Sequence, residues 1–176
     1  MITKMNKFLF MNESIQQEER LSKAITDVLN AQIKNEAMSS QIYLGMTCWL
    51  DDTGWIGASK YYFKTAQEEL VHMNKIYKYM FDRNVKPVVP EIGPVTQVFE
   101  DIREVVELSL AHEMTVTEQW NNISKLAKDA NDNTTYEFAQ WFLKEQVEEE
   151  EKFRNILFKL DLDMPKWKTD ELFEGL

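Results

Sequence analysis

The sequence predicts an all-α protein, a four-helix bundle connected up-down-down-up with one long crossover between its second and third helices. Three observations carry this. Glycine (5) and proline (4) are scarce, and three of the prolines fall in one stretch, leaving room for long uninterrupted helices. Four segments repeat apolar residues with 4-3 spacing, the pattern of helices packed side by side. The connections run short, long, short, and that alternation sets the direction of each helix.

Segment A runs from about Ser22 to Leu50 and stops at the turn signal Asp51-Asp52-Thr53-Gly54. Its seam is Ile25, Leu29, Gln32, Glu36, Ser39, Tyr43, Met46 and Leu50. Segment B runs from about Trp55 to Arg83 with the seam Ser59, Tyr62, Ala66, Glu69, Met73, Ile76 and Met80. Segment C, from about Val98 to Ala130, carries Ile102, Val106, Ser109, Glu113, Val116, Trp120, Ile123 and Ala127, and Asn131-Asp132-Asn133 breaks it. Segment D opens with the capping-box pattern Thr134-x-x-Glu137 and runs to about Leu162, before Pro165. Its seam is Thr135, Ala139, Phe142, Gln146, Glu149, Phe153, Ile156 and Leu160. The pattern also allows a short C-terminal helix around Thr169 to Phe173.

A to B and C to D are short turns, so each pair is antiparallel. B to C is different: Asn84 to Thr96 holds Pro87, Pro90, Gly93 and Pro94 among valines. Thirteen extended residues reach about 43–47 Å, and a helix of about 28 residues is about 42 Å long. The crossover can therefore span the bundle and start segment C at the opposite end.

The 176 residues suit one domain, read as residues 21–176 behind a flexible tail at 1–20. A formal net charge of −10 repels phosphate backbones and attracts cations, which argues against nucleic acid as a partner. Cys48 is alone, so neither an intrachain disulfide nor a CxxC metal knuckle can form; it reads as an inert buried thiol. No apolar run approaches the roughly 18 residues that span a bilayer. The apolar patch Phe8 to Met11 falls short of a signal segment, so the cytoplasm is the expected location.

Each seam is apolar or small except near its middle, where it carries one glutamate: Glu36, Glu69, Glu113, Glu149. Helix midpoints share a level whichever way each helix runs, so four carboxylates converge in one core. Buried glutamates need partners, and like charges in low dielectric repel and force protonation. No lysine or arginine occupies the seams, so the expected partner is a cation. Oxygen donors with one imidazole suit iron, with manganese and zinc as competitors. His72, three residues after Glu69, supplies the imidazole on the same helix face, a pairing known from di-iron carboxylate bundles.

Glu36 with Tyr43, Ala66-Gln67-Glu68-Glu69-Leu70-Val71-His72-Met73, His112-Glu113, and Trp141-Phe-Leu-Lys-Glu145-Gln146-Val-Glu148-Glu149-Glu150 resemble the bacterial non-haem ferritins over about residues 20–162. The resemblance implies a ferritin-like fold and a ferroxidase centre. One iron site would use Glu36, Glu69 and His72. A second would use the bridging Glu69 with Glu113 and Glu149, Gln146 lying close. Glu68, Glu145 and Glu148 match the ligands of a third iron. It also implies a homo-oligomeric shell of about twenty-four subunits.

Bacterioferritins carry a second Glu-x-x-His on the fourth helix, where this chain has Gln146-x-x-Glu149. That leaves the second site with fewer strong ligands, which suits iron in transit. No haem is expected, because Met46, Met73 and Met80 fall on or beside the packing seams. Tyr43, two turns from Glu36, is placed to donate a hydrogen bond or an electron; a core tyrosine with a satisfied hydroxyl fits as well. The expected function is Fe(II) oxidation by dioxygen or peroxide, with two to three irons per subunit and mineral storage in a cage. The alternatives are a non-storing di-iron or di-manganese oxidoreductase, told apart by assembly size, and a plain structural bundle that binds no metal.

Overall fold

A computed structural model describes residues 21–162 and 164–174. The tail expected at residues 1–20 lies outside the described residues. Among the described residues there are five helices, α1 (Lys23–Asp52), α2 (Ile56–Asp82), α3 (Ile102–Asp129), α4 (Asn133–Leu160) and the short α5 (Lys166–Glu174). No strand occurs among the described residues.

Local chemistry sets the boundaries. The Ser22 hydroxyl accepts from the Ile25 amide and starts α1. The turn into α2 needs Gly54, whose φ of +76° favours glycine. Segment C begins four residues later than its pattern suggests: Asp101 is extended, and its carboxylate accepts from the Glu104 amide at 2.8 Å. Segment D is capped by Asp132, whose carboxylate accepts from the Thr135 amide, and not by Thr134. Asp132 is also held by Arg83 at 3.0 Å, which clasps α2 to α4.

Packing follows the seams. Every seam residue is buried except Met73 and Leu160, which are half-buried. α1 packs chiefly on α2, α3 on α4, and α1 also on α3. The crossover from Arg83 to Asp101 lies along α1. Val88 N–H donates to Asn30 Oδ1 at 2.8 Å, and Thr96 O comes so close to α1 that a Cβ on Gly45 would stand 2.5 Å from it. Asn30 and Gly45 lie fifteen residues apart on one helix, which is about 22 Å of rise. The crossover therefore traverses the bundle, and α3 starts at the far end, as the sequence predicts.

The interior is two apolar clusters with a polar layer between them. One holds Met46, Leu50, Tyr62, Val106, Phe153 and Ile156. The other holds Leu29, Ile33, Ile76, Val116, Trp120 and Phe142. Along each long helix the central glutamate falls between the two.

α5 docks on the start of α2. Trp55 gives α2 no side-chain cap. Instead Asp170 accepts from the Gly57 amide at 2.8 Å and the Ala58 amide at 2.9 Å. Lys166 stands over the Trp55 ring and donates to Thr53 O. Cys48 is exposed, contrary to expectation, because it falls between the seam positions Met46 and Leu50 and faces outward.

Candidate metal centre

Glu36, Glu69, Glu113 and Glu149 are all buried at mid-helix on α1, α2, α3 and α4, and His72 is buried one turn beyond Glu69. Glu36, Glu69 and His72 form the tightest group. One ligand-type atom from each lies within 4.8 Å of the other two. His72 Nδ1 stands 3.5 Å from Glu69 Oε2, and the ring rests edge-on against Trp141 and Phe142. Among the described residues no other group has this metal-like spacing.

The carboxylates are oriented by neighbours. Gln32 Nε2 donates to Glu36 Oε1 at 2.9 Å, and Trp120 Nε1 donates to the same oxygen at 3.2 Å. The Tyr43 hydroxyl makes a short hydrogen bond to Glu113 Oε1. Gln146 Nε2 donates to Glu113 Oε2 at 2.8 Å. Each of these helpers is itself buried, so its rotamer is fixed by packing.

Burial and mutual repulsion make the layer proton-hungry. Burial, then the charge of Glu69, pushes the Glu36 carboxyl up to about 8. Glu113 is pushed up to about 7 by burial, with the Tyr43 and Gln146 hydrogen bonds pulling the other way. Glu69 is held well above the ordinary carboxylate range, by burial and then by Glu113. Burial and the Glu113 charge raise Tyr43, which keeps its proton on the phenol. A buried layer that favours protons over bare charge is one that a divalent cation can satisfy.

The chain matches the ferritin-like domain family over residues 26–162. That is most of its length, and the match spans the four helices of the bundle apart from the first three residues of α1. The chain belongs to the ferritin family. A bacterial non-heme ferritin of Staphylococcus saprophyticus is 38% identical over 133 residues, 76% of this chain and 80% of its own length. A probable bacterial non-heme ferritin-like protein of Haemophilus influenzae is 33% identical over 141 residues, covering 80% and 86%. In three dimensions the chain is similar to an open-pore ferritin from the archaeon Archaeoglobus fulgidus, with a TM-score of 0.86 and 27% identity over 89% of this chain and 98% of that one.

In this ferritin the other sequence-predicted acidic residues lie beside the core glutamates. Glu68, Glu145, Glu148 and Glu149 line an open cavity of about 280 Å³ that reaches His72. Glu68 and Glu145 are half-buried and Glu148 is exposed, so the cavity connects the core to solvent. No helix among the described residues is long and apolar enough to cross a membrane.

Three features of this ferritin's site are not legible from the seams. Lys152 reaches back along α4 and pairs with Glu149 Oε1 at 2.7 Å, so the absence of a base from the seams does not leave every core carboxylate without one. Burial opposes the lysine's charge, but the Glu149 hydrogen bond and charge outweigh it and raise its pKa. Trp120 and Gln32 grip Glu36, although their seam positions mark them only as core. His112, expected only as the neighbour of Glu113, accepts or donates a 2.7 Å hydrogen bond with Ser39 Oγ and packs edge-on against Tyr43. Burial lowers its pKa.

Proposed function

We propose that this ferritin oxidises Fe(II) at a paired site in its bundle and stores the product inside a closed shell of its own copies. The observation that carries the reading is the buried group Glu36, Glu69 and His72, with Glu113 and Glu149 close enough to lift the Glu69 pKa. The first Fe(II) binds Glu36, Glu69 and His72, two carboxylates and the imidazole that ferrous iron favours. The second binds Glu69, Glu113 and Glu149, with Gln146 beside it. Glu69 bridges the two.

Binding displaces protons from the carboxyls whose pKa is raised, Glu36, Glu69 and Glu113. The layer's negative charge then stabilises Fe(III) over Fe(II), which lowers the barrier to electron loss. Two Fe(II) ions yield two electrons. Dioxygen accepts them with two protons to give peroxide, or peroxide accepts them with two protons to give water. Tyr43 holds Glu113 in place and keeps the second site's geometry. Fe(III) leaves through the cavity lined by Glu68, Glu145 and Glu148, which hold a third iron on the way.

The experiment is stopped-flow oxidation of Fe(II) at two irons per subunit, followed in the near ultraviolet where Fe(III) absorbs. Glu69→Ala removes the fast phase, and Glu148→Ala leaves it while changing turnover at many irons per subunit. An unchanged fast phase in Glu69→Ala refutes the paired site. Gel filtration tests the store: several hundred kilodaltons fits a cage, and a monomer or dimer fits a non-storing oxidoreductase.

A further inference from the structure

Lys152 forms an ion pair with Glu149 of the proposed second site, and the helix offers it a second partner. It stands three residues after Glu149 and four after Glu148, so both carboxylates are its helical neighbours. In the structure the ammonium takes the inward partner, Glu149, which is buried, while the lysine side chain is only about one-third exposed. Lys152 also lines two adjoining cavities. The inner one, of about 280 Å³, contains His72 and Glu149. The outer one, of about 490 Å³, contains Glu148 and Glu151 and opens away from the core. Glu148 lines both.

We infer that Lys152 is the resident counter-cation of the second iron site, holding Glu149 until a metal ion replaces it and then swinging outward to Glu148. The inference rests on the proposed paired site. Two steps support it. A buried carboxylate is strongly disfavoured without a partner, and in the empty second site Lys152 is the partner Glu149 has. A divalent ion held by the same carboxylate repels an ammonium a few ångströms away in a medium of low dielectric, so the filled site expels it. The outer position costs little, because Glu148 to Lys152 is the favourable i to i+4 order on a helix. No bond is made or broken; one cation exchanges for another. Lys152 is thus a positioning residue that weakens second-site binding and keeps that iron exchangeable.

The test is anaerobic calorimetric titration of the metal-free full chain with Co(II), which binds without being oxidised. Wild type shows a first step at Glu36, Glu69 and His72 and a weaker second step. Lys152→Met leaves the first step unchanged and tightens the second about tenfold. Lys152→Arg keeps the charge and reproduces wild type. A second step that is absent from Lys152→Met, or as weak there as in wild type, overturns the inference while the first step still supports metal binding at Glu36, Glu69 and His72. No first step in any of the three proteins overturns the paired site and the inference together. A crystal structure of Co(II)-loaded wild type gives an independent reading: Lys152 Nζ is expected beyond the ~4 Å ion-pair range of Glu149. An ammonium still at its present distance from Glu149 overturns the exchange.

Discussion

Trp120 on α3 donates its indole N–H to Glu36 Oε1 on α1 across 3.2 Å, and the same indole stacks on Phe142 with ring centroids 3.7 Å apart. One side chain therefore joins the apolar core to a carboxylate of the proposed first site. Trp120→Phe keeps most of the stacking and removes the donor. The expected cost to the metal-free protein is about 0.5–1.5 kcal/mol, the net worth of one hydrogen bond, because Gln32 still donates to the same oxygen. Urea unfolding checks it, and first-step Co(II) binding in the same variant is expected to weaken as Glu36 loses its orientation. An unchanged unfolding midpoint contradicts the assignment of that hydrogen bond.

The raised carboxyls predict an unusual pH dependence. Glu36 rises from an ordinary 4.5 to about 8 and Glu113 to about 7. Between the unfolded and folded values the folded chain binds more protons than the unfolded one, so these groups favour the fold at low pH, and that contribution is lost as pH rises through about 7 to 8. Metal binding runs the opposite way, because protons compete for the ligands. Thermal unfolding at about pH 5.5 and pH 8 is expected to show a smaller stabilisation by Co(II) at the lower pH. Equal stabilisation at both contradicts buried carboxylate ligation.

Gln146 donates to both the carboxylate and the backbone carbonyl of Glu113. Gln146→Glu replaces that donor with a fourth anion at the second site. The metal-free protein is expected to lose stability, while second-step metal binding tightens and release of Fe(III) slows. Calorimetry and multi-turnover oxidation read the two effects separately. A second step no tighter than wild type sinks the prediction.

Much of the site is legible in the sequence because a seam has a period, and a glutamate inside an apolar seam breaks it visibly. Glu36, Glu69, Glu113 and Glu149 stand out for that reason, and so does His72, one turn from Glu69. The crossover is legible because proline and length together allow one path. Contacts between helices are not legible in this way. Trp120 meets Glu36 through helix crossing, and Lys152 turns back to Glu149 on its own helix through a rotamer that spacing alone does not choose. The start of α4 depends on Asp132, whose carboxylate is shared with Arg83 from 49 residues away, a partner no local pattern reports. Cys48 was predictable from phase: between Met46 and Leu50 it faces out, and residue type alone misled.

Asp170 caps α2 from α5, so Asp170→Ala is expected to cost about 1 kcal/mol, the usual value of a lost helix cap. Hydrogen exchange should rise at the Gly57 and Ala58 amides and along α5. Metal binding should not change, because the contact lies at the bundle's end. Gly57→Ala is expected to be worse, since a Cβ there would meet Asp170 O at 2.4 Å. Unchanged exchange at Gly57 and Ala58 in Asp170→Ala contradicts capping by α5.

Anomalous diffraction at the iron edge, from crystals loaded with two irons per subunit, tests the paired site most directly. Two peaks are expected inside each bundle, one among Glu36, Glu69 and His72 and one among Glu69, Glu113 and Glu149, separated by about 3.5–4 Å as in two-metal sites. Iron peaks confined to the surface cavity at Glu68, Glu145 and Glu148, with none in the core, contradict the paired site.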